Sequence, residues 1–397
     1  MKILQLCYKP PYPPVDGGTM AMNGVTQGLI TCGHSVRVLS VASDKHPVSQ
    51  QVAGSEYEQK TGFKSVYIDL SIHPLDAGVS LLCGESYNIK RFYSKAFANE
   101  LSKILNSEEF DIIHVESIFL APYLDTIRKY SKAPVVMRAH NVEHRIWQLM
   151  AKSEPNPLKR WYLKHLALAL RSYELEKINE FDGIVCISDD DAESFRQLGC
   201  RRKIGSIPFG IDLKPLPETQ GEPNSLFHIG SMDWRPNQES IQWFLDKVWP
   251  SVHKEFPQLR FYAAGRKMPE EMSRTQREGV VIVGEVPDAA EFIASKQINI
   301  VPLLSGSGIR IKIIEAMSLG KAVIATTIGA SGITYTEGRD LLIADTPDEF
   351  VAQLKRLVDD PQYCTAVGNN ARKLVENEYS QQALAKKLTA FYETLLQ

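Results

Sequence analysis

Short continuous apolar runs alternate with amphipathic segments along almost the whole chain of 397 residues, and that alternation leaves few folds open. In the first half the runs fall at residues 3–7, 35–41, 112–115, 135–139, 183–187 and 203–207. In the second they fall at 226–229, 260–264, 280–283, 299–302, 322–325 and 341–343. Helical periods lie between them, at 19–32, 118–130, 190–198, 238–248, 309–319 and 347–358. A run apolar on both faces belongs in a sheet covered on both sides, and strands separated by helices pair in parallel. The pattern starts afresh near residue 224, after a stretch at 208–225 that is rich in proline, glycine and polar residues and has no period. A chain of this length also exceeds what one ordinary core serves. The expected architecture is α/β: two Rossmann-like, doubly wound parallel-sheet domains of similar size. Such sheets bind ligands beyond the carboxyl ends of their strands, so the site is expected in a cleft that both domains face.

Composition narrows the partners. Hydrophobic residues make up 44% of the chain and charged residues 23%, as in soluble globular proteins. A formal net charge of −2 offers nucleic acid no attraction. None of Cys7, Cys32, Cys83, Cys186, Cys200 and Cys364 forms a CxxC pair or a metal-ligand spacing, and most sit in apolar segments, as reduced thiols of a cytosolic protein do. The opening MKILQLCY meets proline too soon for a signal peptide. No apolar run approaches the roughly 20 residues of a spanning helix. The chain therefore reads as cytoplasmic, with peripheral contact at the inner membrane face as the membrane role open to it. Residues 80–108 and 156–180 bear on that role, each reading as a helix that mixes Lys and Arg with Phe, Tyr or Trp. Such a helix either rests a basic face on an anionic membrane or a lipid-linked acceptor, or simply packs with its basic side in water.

The chemistry gathers at strand ends. Residues 305–326 read SGSGIRIKIIEAMSLGKAVIAT, in which Gly306, Ser307 and Gly308 form a turn that runs into an apolar helix opening with Ile309, Arg310 and Lys312. Bare glycines let backbone approach a ligand, a helix N-terminus offers unpaired N–H groups, and two cations add full charge. Together these suit a diphosphate. Glu315 follows, placed to accept from sugar hydroxyls. Residues 227–250 form a strand, a glycine turn at Gly230 and a helix, presenting Asp233, Trp234 and Arg235. FYAAGRKMP repeats the arrangement one strand later with Gly265, Arg266 and Lys267, and VGEVPD adds a loop with Glu285 and Val286 whose backbone could take a nucleobase. The first strand of the chain leads through prolines to Asp16-Gly17-Gly18, a tight turn before a helix that Thr19 would cap. This is not the GxGxxG fingerprint, because the spacing is wrong and no acid clearly ends the second strand. MRAHNVEH closes another strand with His140, Asn141, Glu143 and His144; His140 could bond a sugar hydroxyl, and the glutamate is misplaced for HExxH. Asp189, Asp190 and Asp191 follow Ser188 at a helix start, where acids suit the dipole better than they suit a metal.

As an ordered set, DGG at 16–18, AHNVEH at 139–144, PFGID at 208–212, GSMDWRPN at 230–237, AAGRKMP at 263–269, GEVPD at 284–288 and GSGIRIKIIEAMSLGKAVIAT at 306–326 resemble the retaining glycosyltransferases of the family-4 type (glycosyl transferases group 1), with the GT-B fold. The resemblance implies an acceptor-binding domain over 1–207, a nucleotide-sugar-binding domain over 208–379, and a last helix, 380–397, crossing back to the first domain. It implies a metal-independent hexosyltransferase-type enzyme. Such an enzyme moves a sugar with retention from a nucleoside-diphosphate sugar to a glycan or lipid-linked acceptor, most commonly in cell-surface polysaccharide or glycolipid synthesis. No cofactor beyond that co-substrate is expected. His140, Arg310 and Lys312 take the catalytic roles; Gly230, Arg266, Lys267, Glu285, Val286, Gly306, Ser307, Gly308, Ile309 and Glu315 bind the donor; Gly17, Gly18 and Asn141 lie on the acceptor side. The family signature has two glutamates eight positions apart; Glu315 fills the second place and Ser307 stands in the first, which leaves the donor sugar open. Arg310 and Lys312 replace the Arg and Lys usually found after the first strand of the second domain. A retaining glycosidase needs two flanking carboxylates, for which the sequence offers no pair, so a same-face route fits better. A sugar-nucleotide epimerase of the same fold and a non-catalytic nucleotide-sugar-binding protein are the competing readings.

Overall fold

The computed structural model describes residues 1–73, 80, 86–216, 218, 221–306 and 310–397. They divide into two compact units, Met1–Gly210 with Gln381–Gln397, and Ile211–Ser380. The first is built on β1 (Lys2–Cys7), β2 (Ser35–Ala42), β3 (Lys64–Tyr67), β4 (Ile112–Glu116), β5 (Val135–Ala139), β6 (Gly183–Cys186) and β7 (Lys203–Ser206). These pair in parallel in the order β3-β2-β1-β4-β5-β6-β7. The second unit holds β8 (Ser225–Ile229), β9 (Arg260–Ala264), β10 (Val280–Gly284), β11 (Ile298–Val301), β12 (Ala322–Ala325) and β13 (Leu342–Ile343), in the order β10-β9-β8-β11-β12-β13. Each order reverses once, between β1 and β4 and between β8 and β11, and the ends of those strands are where such sheets leave room for a ligand.

Burial on both faces explains the apolar runs. The first sheet has one core layer through Leu4, Leu6, Ile113 and Val115 and another through Ile3, Val36, Ile112 and Val136. The second is sandwiched in the same way, with Phe261 and Ile300 in one layer and Phe227 and Val301 in the other. Register then aligns the few polar residues that these strands carry: Gln5 pairs with His114, Cys7 with Glu116, and Glu116 with Arg138.

Local chemistry departs from the sequence expectation in several places. Asp16, not Thr19, caps the helix Gly17–Thr31. Its carboxylate accepts from the Thr19 N–H at 2.8 Å and the Asp16 N–H donates to the Thr19 hydroxyl at 2.9 Å, a reciprocal capping box. Gly17 and Gly18 are thus the first helical residues. The segment expected as one helix over 118–130 begins as a 3₁₀ turn, Ile118–Tyr123, because Pro122 has no N–H to give an α-helical ladder, and only Leu124–Tyr130 is α-helical. Within 80–108 two separate helices are described, Tyr87–Lys90 and Lys95–Ser107, the second capped by Ser94. The last helix, Gln381–Leu396, packs in the first unit on Gly17–Thr31. Glycines make its seat: a Cβ on Gly28 would stand 2.6 Å from the Gln381 carbonyl oxygen, and one on Gly183 would stand 2.9 Å from the Phe391 ring.

Candidate functional site

In the second unit the ends of β8, β9 and β10 are knitted tightly. Gly230 N–H donates to Ala264 O at 3.1 Å and Gly265 N–H to Gly284 O at 2.7 Å. A Cβ on Gly265 would lie 1.8 Å from the Gly230 carbonyl oxygen, so only glycine fits. Beyond β8 the chain enters the helix Arg235–Trp243, whose Asn237 Nδ2 donates back to Ser231 O at 2.8 Å. Lys312 reaches this corner from the first turn of Ile311–Ser318. Its Nζ donates to Asn237 Oδ1 at 2.6 Å and lies 3.3 Å from His228 Nε2. His228 Nδ1 donates to Ile300 O at 2.8 Å, which leaves Nε2 as the acceptor. Burial, and then neighbouring Arg310, push the Lys312 ammonium down to about 7. Burial, and then Lys312, hold His228 well below the usual histidine range.

Arg310 stands at the N-cap of the same helix with its guanidinium 5.2 Å from the centre of the Trp234 ring. Gly306, at φ +127°, sits against both: a Cβ there would be 2.7 Å from Arg310 Nη2 and 2.9 Å from the indole. Arg266 Nε donates to Ser231 Oγ at 2.9 Å and Lys267 pairs with Asp233 at 3.0 Å, so these two cations brace the loop after β8 from its exposed side. Glu315 is half-buried, and burial raises its carboxyl against the opposing pull of Lys214. Glu285 is exposed, while Val286 packs on the core. The structure thus gathers Gly230, Gly306, Arg310 and Lys312 at one strand end and sets Arg266 and Lys267 beside them. Ser307, Gly308 and Ile309 lie outside the described residues.

The first unit holds a buried polar network that the sequence reading missed. Glu116, at the end of β4 and 0% exposed, accepts from Gln5 Nε2 at 2.8 Å, His114 Nε2 at 3.0 Å and His140 Nε2 at 2.7 Å. Burial pushes its carboxyl up, but His114 and His140 outweigh burial and hold it well below the usual range. A carboxylate only accepts, so the Nε2 of each histidine carries the proton. The hydroxyl of Tyr392, on the terminal helix, is then the donor to His114 Nδ1, at 2.6 Å. For His140 the nitrogen left to meet a ligand is Nδ1. Tyr8 packs edge-on against its ring and Phe209 lies tilted to it, each with centroids 5.8 Å away.

Around this network the other candidates separate. Asn141 is exposed. Burial, then Glu174, pushes the Glu143 carboxyl up to about 7. His144 is a structural residue: its Nδ1 meets Glu174 Oε2 at 2.5 Å, and Glu174 also takes the N–H groups of Glu143 and His144 at the start of Glu143–Ser153. A Cβ on Gly17 would meet nothing within 4 Å, whereas one on Gly18 would meet the Tyr8 hydroxyl at 2.8 Å and Lys9 Nζ at 3.0 Å. A cavity of about 450 Å³ in this unit, among Ser86, Tyr93, Pro122, Tyr173 and Glu176, contains none of these residues.

Residues 15–215 match the family model described as Glycosyltransferase Family 4, and residues 223–360 that described as Glycosyl transferases group 1. An uncharacterised 44.6 kDa protein in the cps region of Klebsiella pneumoniae is 22% identical over 390 residues, covering 95% of this chain and 96% of its own. Phosphatidyl-myo-inositol mannosyltransferase of Mycolicibacterium smegmatis is 24% identical over 412 residues, covering 100% and 94%. Among solved structures, sucrose-phosphate synthase of Thermosynechococcus elongatus aligns with a TM-score of 0.65 at 17% identity, over 100% of this chain and 99% of that one. Anabaena HepE in complex with UDP-glucose aligns with a TM-score of 0.60 at 13% identity, over 99% and 100%.

Proposed function

The chain belongs to Glycosyltransferase Family 4 and is a glycosyltransferase with the two parallel-sheet α/β domains of the GT-B fold, and from that premise we propose that it moves a sugar, with retention, from a nucleoside-diphosphate donor to a glycan or lipid-linked acceptor in cell-surface polysaccharide or glycolipid synthesis. The observation that carries this reading is the corner at the end of β8, where Lys312 is held by Asn237 and His228 and Arg310 stands at the helix N-cap beside Gly306. Breaking the bond between sugar and diphosphate places charge on the leaving phosphate. Cations and helix N–H groups fixed in advance where that charge grows lower the barrier. These groups supply the positive charge themselves, so the reading calls for no metal ion. Glu315 takes the ribose, the backbone at Glu285 and Val286 the base, and Gly306 to Ile309 the sugar and phosphates, with Arg266 and Lys267 assisting. Two relatives support the classes of substrate: one solved structure holds UDP-glucose, and one relative is a phosphatidyl-myo-inositol mannosyltransferase.

In the first unit His140 orients the donor sugar through Nδ1, and Gly17, Gly18 and Asn141 receive the acceptor. On the same-face route the acceptor oxygen bonds to the anomeric carbon as the bond to phosphate breaks, and the acceptor proton passes to the leaving phosphate oxygen. The enzyme works in the cytoplasm at the inner membrane face. Thermal unfolding with UDP, GDP and their sugars, without added metal, tests the donor site. Stabilisation by one base that disappears in Arg310→Ala is expected. No shift from any nucleotide overturns the reading.

A further inference from the structure

The hairpin made by Glu143–Ser153 and Pro157–Lys177 carries a face that its own core does not use. Leu163, Leu166, Ala167 and Leu170 point inward and are buried, whereas Trp161 is 59% exposed and Leu158 78%. Leu168 stands in solvent with them, and so do Leu149 and Met150 near the end of the preceding helix. At the helical repeat Trp161, Lys164, Leu168 and Arg171 share one side, with Arg160 along its edge. Lys152, Lys159, Arg160, Lys164 and Arg171 are all exposed. Glu154 is the one acid between residues 149 and 171, and Lys159 engages it at 2.7 Å. Five cations against one carboxylate stand out in a chain whose formal net charge is −2.

Large exposed apolar side chains gathered on one hairpin mark a contact surface. Charge decides what the contact is with. A second copy meeting this face symmetrically would bring two patches of the same positive charge together. An anionic bilayer complements it: tryptophan and leucine enter the boundary between headgroups and acyl chains, while lysine and arginine extend their stems and keep their charges among the phosphates. Among the described residues no helix is long and apolar enough to cross a membrane, so contact through this hairpin lies in the interface plane. We propose that the hairpin docks the protein on an anionic lipid surface, with Pro157–Lys177 lying flat along it. The inference stands apart from the transfer reading, because lipid binding is measured without any sugar donor.

Co-sedimentation of the full chain with vesicles tests it, using phosphatidylcholine alone and phosphatidylcholine mixed with phosphatidylglycerol. The protein is expected to pellet with the mixed vesicles, weakly with the neutral ones, and less as salt rises. The double variant Lys164→Gln with Arg171→Gln is expected to lower the partition coefficient roughly 30-fold, and Trp161→Ser to lower it further. Both variants are expected to keep the thermal midpoint of the parent, since all three side chains are exposed. Equal pelleting with both kinds of vesicle, no pelleting with either, or an unchanged partition coefficient in the double variant overturns the proposal. So does a lipid-free dimer, seen by light scattering, that Trp161→Ser dissociates, because a second copy would then occupy the face.

Discussion

Glu116→Gln isolates the network behind His140, because it removes one charge and one acceptor oxygen with almost no change of volume. The carboxylate serves three donors, Gln5 and His114 on one oxygen and His140 on the other at 2.7 Å. An amide keeps the first oxygen and turns its NH₂ toward His140 Nε2–H, donor against donor. Hydrogen bonds to a charged group contribute about 1.5–3 kcal/mol each, and losing one partner of a buried pair costs about 3–5 kcal/mol. A loss of about 3 kcal/mol at pH 7 is therefore expected, unless His140 moves its proton to Nδ1. That shift would recover a hydrogen bond and present an N–H instead of a lone pair to the ligand. Denaturant unfolding measures the first effect, and two-bond proton–nitrogen spectra of the imidazoles read the second. The pH dependence has a definite sign. Glu116 is depressed in the folded state, so its contribution is complete above the ordinary Glu value of about 4.3 and is lost as pH falls from there toward the lower folded value. The gap between parent and variant should stay level above about pH 5 and narrow below it. A variant as stable as the parent at pH 7, with His140 unchanged in tautomer, would refute the network.

Three further perturbations separate the pieces. Tyr392→Phe removes only the hydroxyl that reaches His114 at 2.6 Å, and should cost about 1 kcal/mol in unfolding free energy; a cost near that of Glu116→Gln would mean that the terminal helix holds the network by more than this bond. Gly265→Ala places a methyl where 1.8 Å separates Cβ from the Gly230 oxygen, so β8 and β9 must spread, at about 3 kcal/mol or more; an unchanged denaturation midpoint for the second unit would contradict the close approach. Arg310→Ala should lower the transfer rate at least about 100-fold, the usual effect of deleting one transition-state donor, and near-normal turnover would remove Arg310 from the mechanism.

What the sequence could not reveal has physical causes. Apolar runs located twelve strands, but β3 escaped because KSVY is short and carries only half-buried or exposed residues. The helix Glu143–Ser153 escaped because Val142 gives it no side-chain cap, and its start is held instead by Glu174, about thirty residues away in the chain. The network at Glu116 did leave a mark: His114 and Glu116 are two polar residues on one face of an otherwise apolar strand, IIHVE. Their meaning depended on Tyr392, 278 positions from His114, and no local pattern carries a contact of that range. In the second unit the polar residue inside SLFHI is the corresponding mark, and Lys312 meets its Asn237 acceptor across 75 positions. Motif spacing nominated His140 and Lys312; the partners that hold them, Glu116 in one unit and Asn237 and His228 in the other, come from other elements of the chain.

Each unit holds a charge withdrawn from water, Glu116 in the first and Lys312 in the second, and their surroundings differ in what each can receive. In the first, the Glu116 carboxylate is surrounded by donors, a completed arrangement. In the second, the hydrogen-bond partners of Lys312, Asn237 and His228, are both neutral. A buried cation with neutral partners is a standing destabilisation that an arriving anion would relieve. Lys312→Met exposes that cost. Its folded value of about 7 lies below the 10.5 of an unhindered lysine, so between these the unfolded chain binds the extra proton. The stability of the parent then rises with pH through this window, and the destabilisation is felt in full below pH 7. Methionine has no such dependence. It leaves Asn237 Oδ1 and His228 Nε2 without their donor at every pH, which subtracts a constant. Between pH 9 and pH 6 the difference in unfolding free energy should therefore move in favour of Lys312→Met by roughly 3 kcal/mol, at about 1.4 kcal/mol per pH unit. Saturating UDP should abolish that movement in the parent, because a diphosphate keeps the ammonium charged throughout. A difference that does not vary with pH would mean that the folded protein already holds an anionic partner for Lys312, and the corner at β8 would then be closed to a diphosphate.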